Sequence, residues 1–384
     1  MAGLYVHIPF CKSRCIYCDF YSTTREAEQE AYVGALCREI RERRHELPAE
    51  ADGRVCARTI YIGGGTPSLL SPAQLARIFG CIRENYAVAE GAEVTVEMNP
   101  EDVVVDEALS LAGGLANGTF NRVSLGIQTF DDDLLRLLRR RHSAERAVEA
   151  VKSLQLAGAQ NISIDLIYGL PGQTLELWER DLDVAFSLGV QHLSAYALSY
   201  EEGTPLWRMR QRGEVQEAAD ELSVRMYERL CQRAREAGFE HYEISNFALP
   251  GYHSRHNSSY WTGEAYLGFG PGAHSFDGRR TRRSNHSSLS NYLSASRGGE
   301  VPHDVEVLSD EELYEEAVMC GLRTCRGVDL AEIGRRFGRQ RLDYLLRQAS
   351  SHLRGGRLAI EHEHLRLTEA ALMISDDVMS DLMA

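Results

Sequence analysis

Three cysteines, Cys11, Cys15 and Cys18, lie within one short loop in the order C-x3-C-x2-C, directly after the apolar run Leu4–Ile8. Structural zinc sites and electron-carrier iron–sulfur clusters usually use four protein ligands, but the place where another thiol could follow is Phe20. A centre with three protein ligands leaves one metal position open to a substrate or cofactor. The spacing therefore predicts a metal centre with an open position. An iron–sulfur cluster is favoured over a zinc ion or inert thiols.

A glycine-rich turn, Gly-Gly-Gly-Thr-Pro-Ser at 63–68, follows the second predicted strand. No Lys follows it, so it is not a phosphate-binding P-loop. Glycines allow backbone amides to approach a ligand closely, and Thr66 adds a hydroxyl. Taken alone, the turn is better explained as a tight connection that caps the next helix; its position beside the cysteine loop favours a ligand contact instead.

Polar residues recur at or just beyond the ends of the next predicted strands: Glu97, Gln128, Arg140 and Asp165. Each by itself is typical of a solvated or structural side chain. Because the carboxyl ends of parallel strands share one face, their recurrence indicates a ring of cofactor contacts.

Histidines and aromatic residues concentrate in the later segments His253–Trp261 and Leu267–Ser275. Imidazole is a common axial ligand of haem iron, and aromatic rings can pack on a porphyrin face. The alternative is that these rings simply close one side of the core.

The first two-thirds of the chain alternates strand-like and helix-like segments, which predicts parallel βα units. The predicted strands are Leu4–Ile8, Thr59–Ile62, Glu93–Glu97, Arg122–Ile127, Ile162–Ile167 and His192–Leu198. The predicted helices are Glu26–Glu46, Pro72–Asn85, Asp106–Ala116, Asp131–Arg139 with Ala144–Ala157, and Leu175–Leu188. Six repeats suit an incomplete barrel. A closed eight-fold barrel and a doubly wound sheet remain alternatives from the pattern alone.

The end of the chain has a different pattern. A further helix and strand are predicted over Ala218–Ala237 and Phe239–Ser245, and the Arg-, Ser- and Asn-rich stretch 278–306 reads as a linker. The final segments are three helices, a two-stranded wing and a last helix: Ser309–Arg323, Asp329–Phe337, Arg341–Leu353, Arg357–Glu361, His364–Leu367 and Glu369–Met383. This order is typical of a winged helix, but the many acidic residues and the missing basic stripe argue against DNA binding.

Composition is that of an ordinary soluble globular protein, with 43% hydrophobic and 26% charged residues. The net charge of −14 argues against a general nucleic-acid surface. Neither a membrane-spanning apolar run nor a secretory signal is recognisable. The odd number of nine cysteines favours the reducing cytoplasm.

The cysteine spacing after a short strand resembles the cluster loop of the radical S-adenosylmethionine (SAM) superfamily. The flanking words Tyr5–Cys11 and Cys18–Ser22 are similar to the coproporphyrinogen-oxidase-like branch, and within it to the HemW haem-chaperone group. The resemblance implies that the three cysteines hold a [4Fe–4S] cluster, and that SAM chelates the fourth iron through its amino and carboxylate groups. It also implies an α/β fold with an incomplete (β/α)6 radical-SAM barrel and a C-terminal, mainly helical, winged-helix-like domain. The expected divisions are 1–240, 241–306 and 307–384.

The same resemblance assigns further residues. Positions matching SAM contacts of the branch are Tyr5, Tyr17, Gly64, Gly65, Thr66, Glu97, Gln128, Arg140 and Asp165. The match near Ser199 is looser, because the local sequence departs from the branch pattern. His256-Asn257-x-x-Tyr260-Trp261 is similar to the motif tied to haem binding in the HemW group, which makes His256 a haem-ligand candidate with His253 and His274 as rivals.

Two functions follow from the resemblance. One is a haem chaperone that passes haem to client haemoproteins such as respiratory cytochromes. The other is an oxygen-independent coproporphyrinogen oxidase, in which a SAM-derived radical attacks propionate side chains. Phe20 in place of a further cysteine, a cluster loop that begins at Cys11 without a preceding substrate-binding segment, and the His256–Trp261 motif all favour the chaperone. The expected protein is cytoplasmic, makes membrane contact only through its clients, binds no nucleic acid, and could form a homodimer.

Overall fold

The computed structural model describes residues 1–103, 119–295 and 298–383. Six parallel strands follow one another in chain order and are adjacent in the sheet. They are β1 Ala2–Ile8, β2 Cys56–Gly64, β3 Ala87–Met98, β4 Arg122–Gln128, β5 Ile162–Tyr168 and β6 His192–Ala197. The register joins Ile8 of β1 to Gly64 of β2, so the cysteine loop and the glycine-rich turn leave the sheet side by side.

The helices that connect these strands cover the outside of the sheet. They are α1 Gln29–Glu42, α2 Pro72–Asn85, α3 Asp132–Leu137, α4 Ala144–Leu156 and α5 Leu175–Ser187. Helix α2 begins with Ser71 and Gln74 in a reciprocal capping box and with Pro72 in its first turn, which satisfies its first backbone amides. The helix predicted at Asp106–Ala116 lies outside the described residues.

The sheet continues beyond the six repeats at both ends. Strand β9 (Tyr266–Phe269) pairs in parallel with β1, and β8 (Asn246–Ala248) pairs antiparallel with β6. The remaining strands are β7 Glu240–Glu243, β10 His274–Phe276, β11 Thr281–Asn285 and β12 His303–Val307. Strands β1 to β12 form one open sheet that ends at β12 on one side and at β7 on the other. This confirms the incomplete barrel and excludes the closed eight-fold alternative.

The linker predicted around residues 278–306 is not what the structure shows, because this stretch contains β11, α9 (Leu289–Ala295) and β12. Two of its side chains, Asn285 and Tyr292, contact a buried carboxylate. Glu39 of α1 is 1% exposed and accepts hydrogen bonds from the Asn285 side chain at 2.7 Å and the Tyr292 hydroxyl at 2.7 Å. Arg43 donates to Glu39 at 2.9 Å and completes this network. Polar residues that serve as partners of the buried Glu39 carboxylate contribute to the linker-like composition of this stretch.

The other helices of this part are α6 Pro205–Gln211, α7 Asp220–Glu236 and α8 Arg255–Trp261. In the C-terminal part, helices α10 Asp310–Leu322, α11 Leu330–Phe337, α12 Arg339–Arg354 and α13 Ser375–Ser380 surround a small sheet of β13 Val328–Asp329, β14 Leu358–Glu361 and β15 His364–Leu367. A 3₁₀ helix, Glu369–Ile374, precedes α13 where one longer helix was predicted.

The C-terminal part has a hydrophobic core of its own, which includes Tyr314, Val318, Ile333 and Leu345. It contacts the barrel through backbone hydrogen bonds from Ile244 to Arg323 and from Cys325 to Tyr242. No helix in the described ranges is both long and apolar enough to cross a membrane.

Candidate cluster and cofactor site

A cavity of about 510 Å³ opens at the carboxyl ends of the parallel strands. It collects most of the residues predicted to bind a cluster or cofactor. Those that line it are Cys11, Cys15, Tyr17, Cys18, Gly64, Gly65, Thr66, Glu97, Gln128, Arg140 and Asp165. Ser199, for which the resemblance was weaker, also lines it, whereas Tyr5 and His256 do not.

The cysteine loop is held in place by backbone and packing contacts. The Cys11 amide donates to the Thr23 carbonyl at 2.9 Å, and the Cys18 amide donates to the Cys15 carbonyl at 3.4 Å. Ile16, in the middle of the loop, is 1% exposed and packs in an apolar cluster with residues such as Leu206. The loop is therefore anchored on both sides of its thiols.

Two polar side chains already face the cysteine sulfurs. Thr66 Oγ1 donates to Cys11 Sγ at 3.6 Å, and an Arg140 Nη donates to Cys15 Sγ at 3.4 Å. Burial raises the pKa of the Cys11 thiol, and it raises that of Cys18 to about 11. Ligation to a metal would release these protons, and the hydrogen bonds from Thr66 and Arg140 would stabilise the thiolates.

The donor set fits a [4Fe–4S] cluster. Three thiols line one cavity on a loop anchored at both ends, and a cubane offers each thiolate its own iron atom. In the described part of the chain, no three His, Cys, Asp or Glu side chains converge on a point where a single metal ion could bind.

We call the cysteine loop together with Thr66, Asn99 and Arg140 the rim of the cavity. Asn99 connects its two sides, a role that the sequence did not predict. An Arg140 Nη donates to Asn99 Oδ1 at 2.7 Å, and Asn99 Nδ2 donates to Thr66 Oγ1 at 3.1 Å. A continuous polar chain therefore runs from Cys15 to Cys11. The only signal in the sequence was the position of Asn99 two residues after Glu97 at the end of β3.

The glycine-rich turn needs its glycines for close packing under the cysteine loop. Gly64 has a φ of 110°, and a Cβ there would lie 2.6 Å from His7 Nδ1. A Cβ on Gly65 would lie 2.7 Å from the Phe10 carbonyl oxygen and 3.1 Å from Cys11 Sγ. The turn therefore approaches the predicted cluster ligands so closely that no side chain fits between them.

Gln128 adopts a left-handed backbone, with a φ of 74°, at an irregularity in the pairing of β4 with β5. Such a conformation is uncommon for a residue other than glycine and often marks a functional site. A Cβ added to the nearby Gly126 would lie 2.9 Å from Gln128 Nε2. The strand therefore bends to bring the amide to the cavity wall.

Two carboxyl groups lie in the middle of the cavity. Glu97 accepts hydrogen bonds from the Tyr61 hydroxyl at 2.7 Å and the Gly64 amide at 3.0 Å, and Asp165 accepts one from Ser124 at 3.4 Å. Burial raises the pKa of Glu97 to about 7 and that of Asp165 to about 6. Both can accept hydrogen bonds from a ligand, and both titrate close to neutral pH.

Below them lies the layer that we call the floor: Tyr5, Tyr61, Thr95, Arg122 and His256. The sheet register joins Tyr5 to Tyr61, Tyr61 to Thr95, and Thr95 to Arg122 in one row across four strands. The His256 ring stacks on Tyr61 with centroids 5.1 Å apart. Tyr5 shares a hydrogen bond of 2.9 Å with His7 Nδ1 instead of facing the cavity.

His256 is 1% exposed, and both of its ring nitrogens have partners inside the protein. Nδ1 lies 2.8 Å from Thr59 Oγ1, and Nε2 lies 2.8 Å from the Tyr260 hydroxyl. Burial lowers the pKa of His256 to about 3, so the ring is neutral.

The two rival histidines are more accessible. His253 hydrogen-bonds Glu240 at 2.8 Å and stacks on Tyr242 with centroids 4.2 Å apart. His274 is exposed on β10 and hydrogen-bonds Ser284 at 2.9 Å. Neither lines the cavity.

Comparison with known proteins gives the family. The sequence profile of the radical SAM superfamily matches residues 5–185, and that of the HemN C-terminal domain matches residues 308–374. The chain is 37% identical to "Heme chaperone HemW" of Lactococcus lactis over 87% of its length and 84% of that protein. It is 35% identical to the protein of that name from Mycobacterium tuberculosis, over 96% of the chain and 93% of the relative.

Among solved structures, the coproporphyrinogen III oxidase HemN of Escherichia coli, a radical SAM enzyme, has the same fold. The TM-score is 0.83 at 23% identity, covering 100% of this chain and 90% of HemN. The extent of the sequence matches settles the relationship: the chain belongs to the HemW family of the radical SAM superfamily.

Proposed function

We propose that this protein is a haem chaperone that binds haem, carries a SAM-ligated [4Fe–4S] cluster, and hands haem to client haemoproteins. The observation that carries the proposal is the 35–37% identity, over most of the chain, to relatives named heme chaperone HemW. Phe20, where the oxidase pattern expects a further cysteine, supports the same conclusion. The likeness to HemN, at 23% identity, concerns the fold alone and does not favour the oxidase.

Membership of the radical SAM superfamily implies a [4Fe–4S] cluster and SAM. Cys11, Cys15 and Cys18 would ligate the cluster, which when bound offers SAM an open iron and an electron. Thr66 and Arg140 would hold hydrogen bonds to the ligand sulfurs, as they do to the thiols. Glu97 and Asp165 would accept hydrogen bonds from the nucleoside part of SAM.

His256 is proposed as the haem ligand on the strength of its motif alone. To ligate iron, the ring would have to exchange its hydrogen bond to Thr59 or to Tyr260 for the metal. His253 and His274 would need less rearrangement, because each lies nearer the surface.

The clients, the location and the assembly belong to the same proposal. Client haemoproteins such as respiratory cytochromes would receive haem from a cytoplasmic carrier, and any membrane contact would be peripheral, through those clients. A homodimer is compatible with a carrier role.

The experiment starts from protein reconstituted anaerobically with iron and sulfide. Haem is titrated in and followed by its Soret absorbance, and the haem-loaded protein is then mixed with the apo-form of a b-type cytochrome. We expect stoichiometric haem binding followed by transfer to the cytochrome. The same sample, given SAM, reductant and coproporphyrinogen III, should release no carbon dioxide. Decarboxylation without haem binding would replace the chaperone with the oxidase.

A further inference from the structure

The floor of the cavity contains a buried positive charge with an unsatisfied hydrogen-bond donor. Arg122, the first residue of β4, is 1% exposed and is among the largest fully buried side chains. It nevertheless lines the cavity. Its Nε has no hydrogen-bond partner in the described ranges, and its positive charge interacts electrostatically with the Glu97 and Asp165 carboxyl groups. A buried donor without an acceptor is costly, so a ligand oxygen is the expected partner of Nε.

The carboxyl groups above Arg122 already have other partners. Glu97 accepts from Tyr61 and the Gly64 amide, and Asp165 accepts from Ser124. Both attract the Arg122 charge, but neither accepts a hydrogen bond from its Nε. The Nε–H group is therefore free to donate to a ligand.

A second unpaired polar atom lies beside it. Thr95 is the register neighbour of Arg122 on β3, is fully buried, and its hydroxyl has no hydrogen-bond partner in the described part of the chain. Asn257, on α8, also lines this cavity and can provide an amide donor. One fixed cation with neutral donors nearby is the arrangement that recognises a carboxylate.

We propose that the cavity floor is a carboxylate-binding subsite in which Arg122 is the anchoring cation. Its ligand is an organic carboxylate, and, resting on the proposed function, that carboxylate is a propionate of the bound haem. Arg122 thereby orients haem from inside the barrel, independently of which histidine ligates the iron.

The test compares haem with haem dimethyl ester, whose propionates are uncharged, on wild type and Arg122→Gln. Wild type should bind haem about 10- to 100-fold more tightly than the diester, the range expected for a charge-assisted hydrogen-bonded pair. Arg122→Gln should bind the two equally, and Arg122→Lys should retain part of the preference. Arg58→Gln is the matched control, since Arg58 lies on β2 with its side chain 44% exposed and away from this cavity. It should behave as wild type.

Thermal unfolding of the apo-proteins accompanies the titrations. Arg122→Gln and Arg122→Met should unfold close to wild type, because losing the desolvation cost of the buried charge offsets losing its attraction to Glu97 and Asp165. If Gln fails to fold, Met and Lys provide the same comparison. Sodium propionate should weaken haem binding to wild type but not to Arg122→Met, because the free acid competes with the haem propionate only where the guanidinium is present.

Three results would overturn the inference. Wild type could bind haem and its diester equally, or Arg122→Gln could keep the full preference for haem. In both cases the chaperone proposal would stand without this subsite. If wild type bound neither porphyrin, the proposed function would fall, and the subsite with it.

Discussion

The rim and the floor of the cavity, only a few residues apart along the same strands, are built in opposite ways. At the rim, Thr66 and Arg140 donate hydrogen bonds to thiols that are the proposed cluster ligands. On the floor, His256 is fully satisfied by protein partners, and only Arg122 and Thr95 retain unpaired atoms. The difference teaches where to look for ligand sites. A buried histidine with two hydrogen-bond partners is part of the scaffold, whereas a buried arginine whose Nε is unbonded can still donate to a ligand.

The largest expected effect is the loss of cluster binding at the rim. Cys15→Ala should abolish cluster assembly, because two thiolates leave one further iron of the cluster without its protein ligand. Iron and sulfide analysis after reconstitution should show near-complete loss. Cys325→Ser, at an exposed cysteine outside the site, should assemble a full cluster. A normal cluster in Cys15→Ala would contradict the assignment of the rim.

The next largest effect tests whether His256, on the floor, stabilises the folded protein. His256→Ala should lower the free energy of unfolding of the apo-protein by about 2–4 kcal/mol, because it opens a cavity and leaves Thr59 and Tyr260 without their partner. His253→Ala, at the surface, should cost less than about 1 kcal/mol. Urea denaturation measures both.

A loss below about 0.5 kcal/mol in His256→Ala would show that the ring is not structural. The same experiment is the control for testing His256 as a haem ligand, since a weaker Soret band in an unstable variant does not identify a ligand.

The middle layer gives a pH signature. The pKa of Glu97, raised by burial from 4.5 to about 7, means that the folded state holds this proton more tightly than the unfolded state. Stability from this group is therefore fully present below pH 4.5 and is lost as the pH rises to 7.

Relative to Glu97→Gln, wild type should lose no more than about 3 kcal/mol over that range. Urea denaturation at a series of pH values measures the difference, with the exposed Glu90→Gln as the control. A difference that stayed constant with pH, or grew toward pH 7, would contradict the assigned environment.

The smallest effect concerns the mouth of the site. Phe20 is 64% exposed and lines the cavity entrance. Phe20→Ser should change the free energy of unfolding by less than about 0.5 kcal/mol and should leave cluster content unchanged. Loss of the cluster in this variant would mean that Phe20 shields it.

The contrast between rim and floor also explains what could be predicted from the sequence. The cysteine loop, the glycine turn and Glu97 stand next to strand ends, where polar residues interrupt an apolar run and are visible in the sequence. Arg122 lies at the first position of a strand, where an isolated basic residue looks like ordinary surface. Only the sheet register, which sets it beside Thr95, brings it into the interior.

The same limit applies to the later strands. Strands β10 to β12 are short and polar, and some of their buried partners are distant in the sequence: Arg43 donates to Ser275 of β10, and Asn285 of β11 donates to Glu39. No local periodicity reports such a partner. The six parallel repeats, by contrast, follow from alternating apolar strands and capped helices such as α2.

The measurement that tests the central claim most directly is electron paramagnetic resonance of the reconstituted, reduced protein with and without SAM. Three thiolate ligands and an open iron predict a [4Fe–4S] signal whose g-values shift when SAM is added. A signal unchanged by SAM, or a protein that assembles no cluster with Cys11, Cys15 and Cys18 intact, would contradict the account.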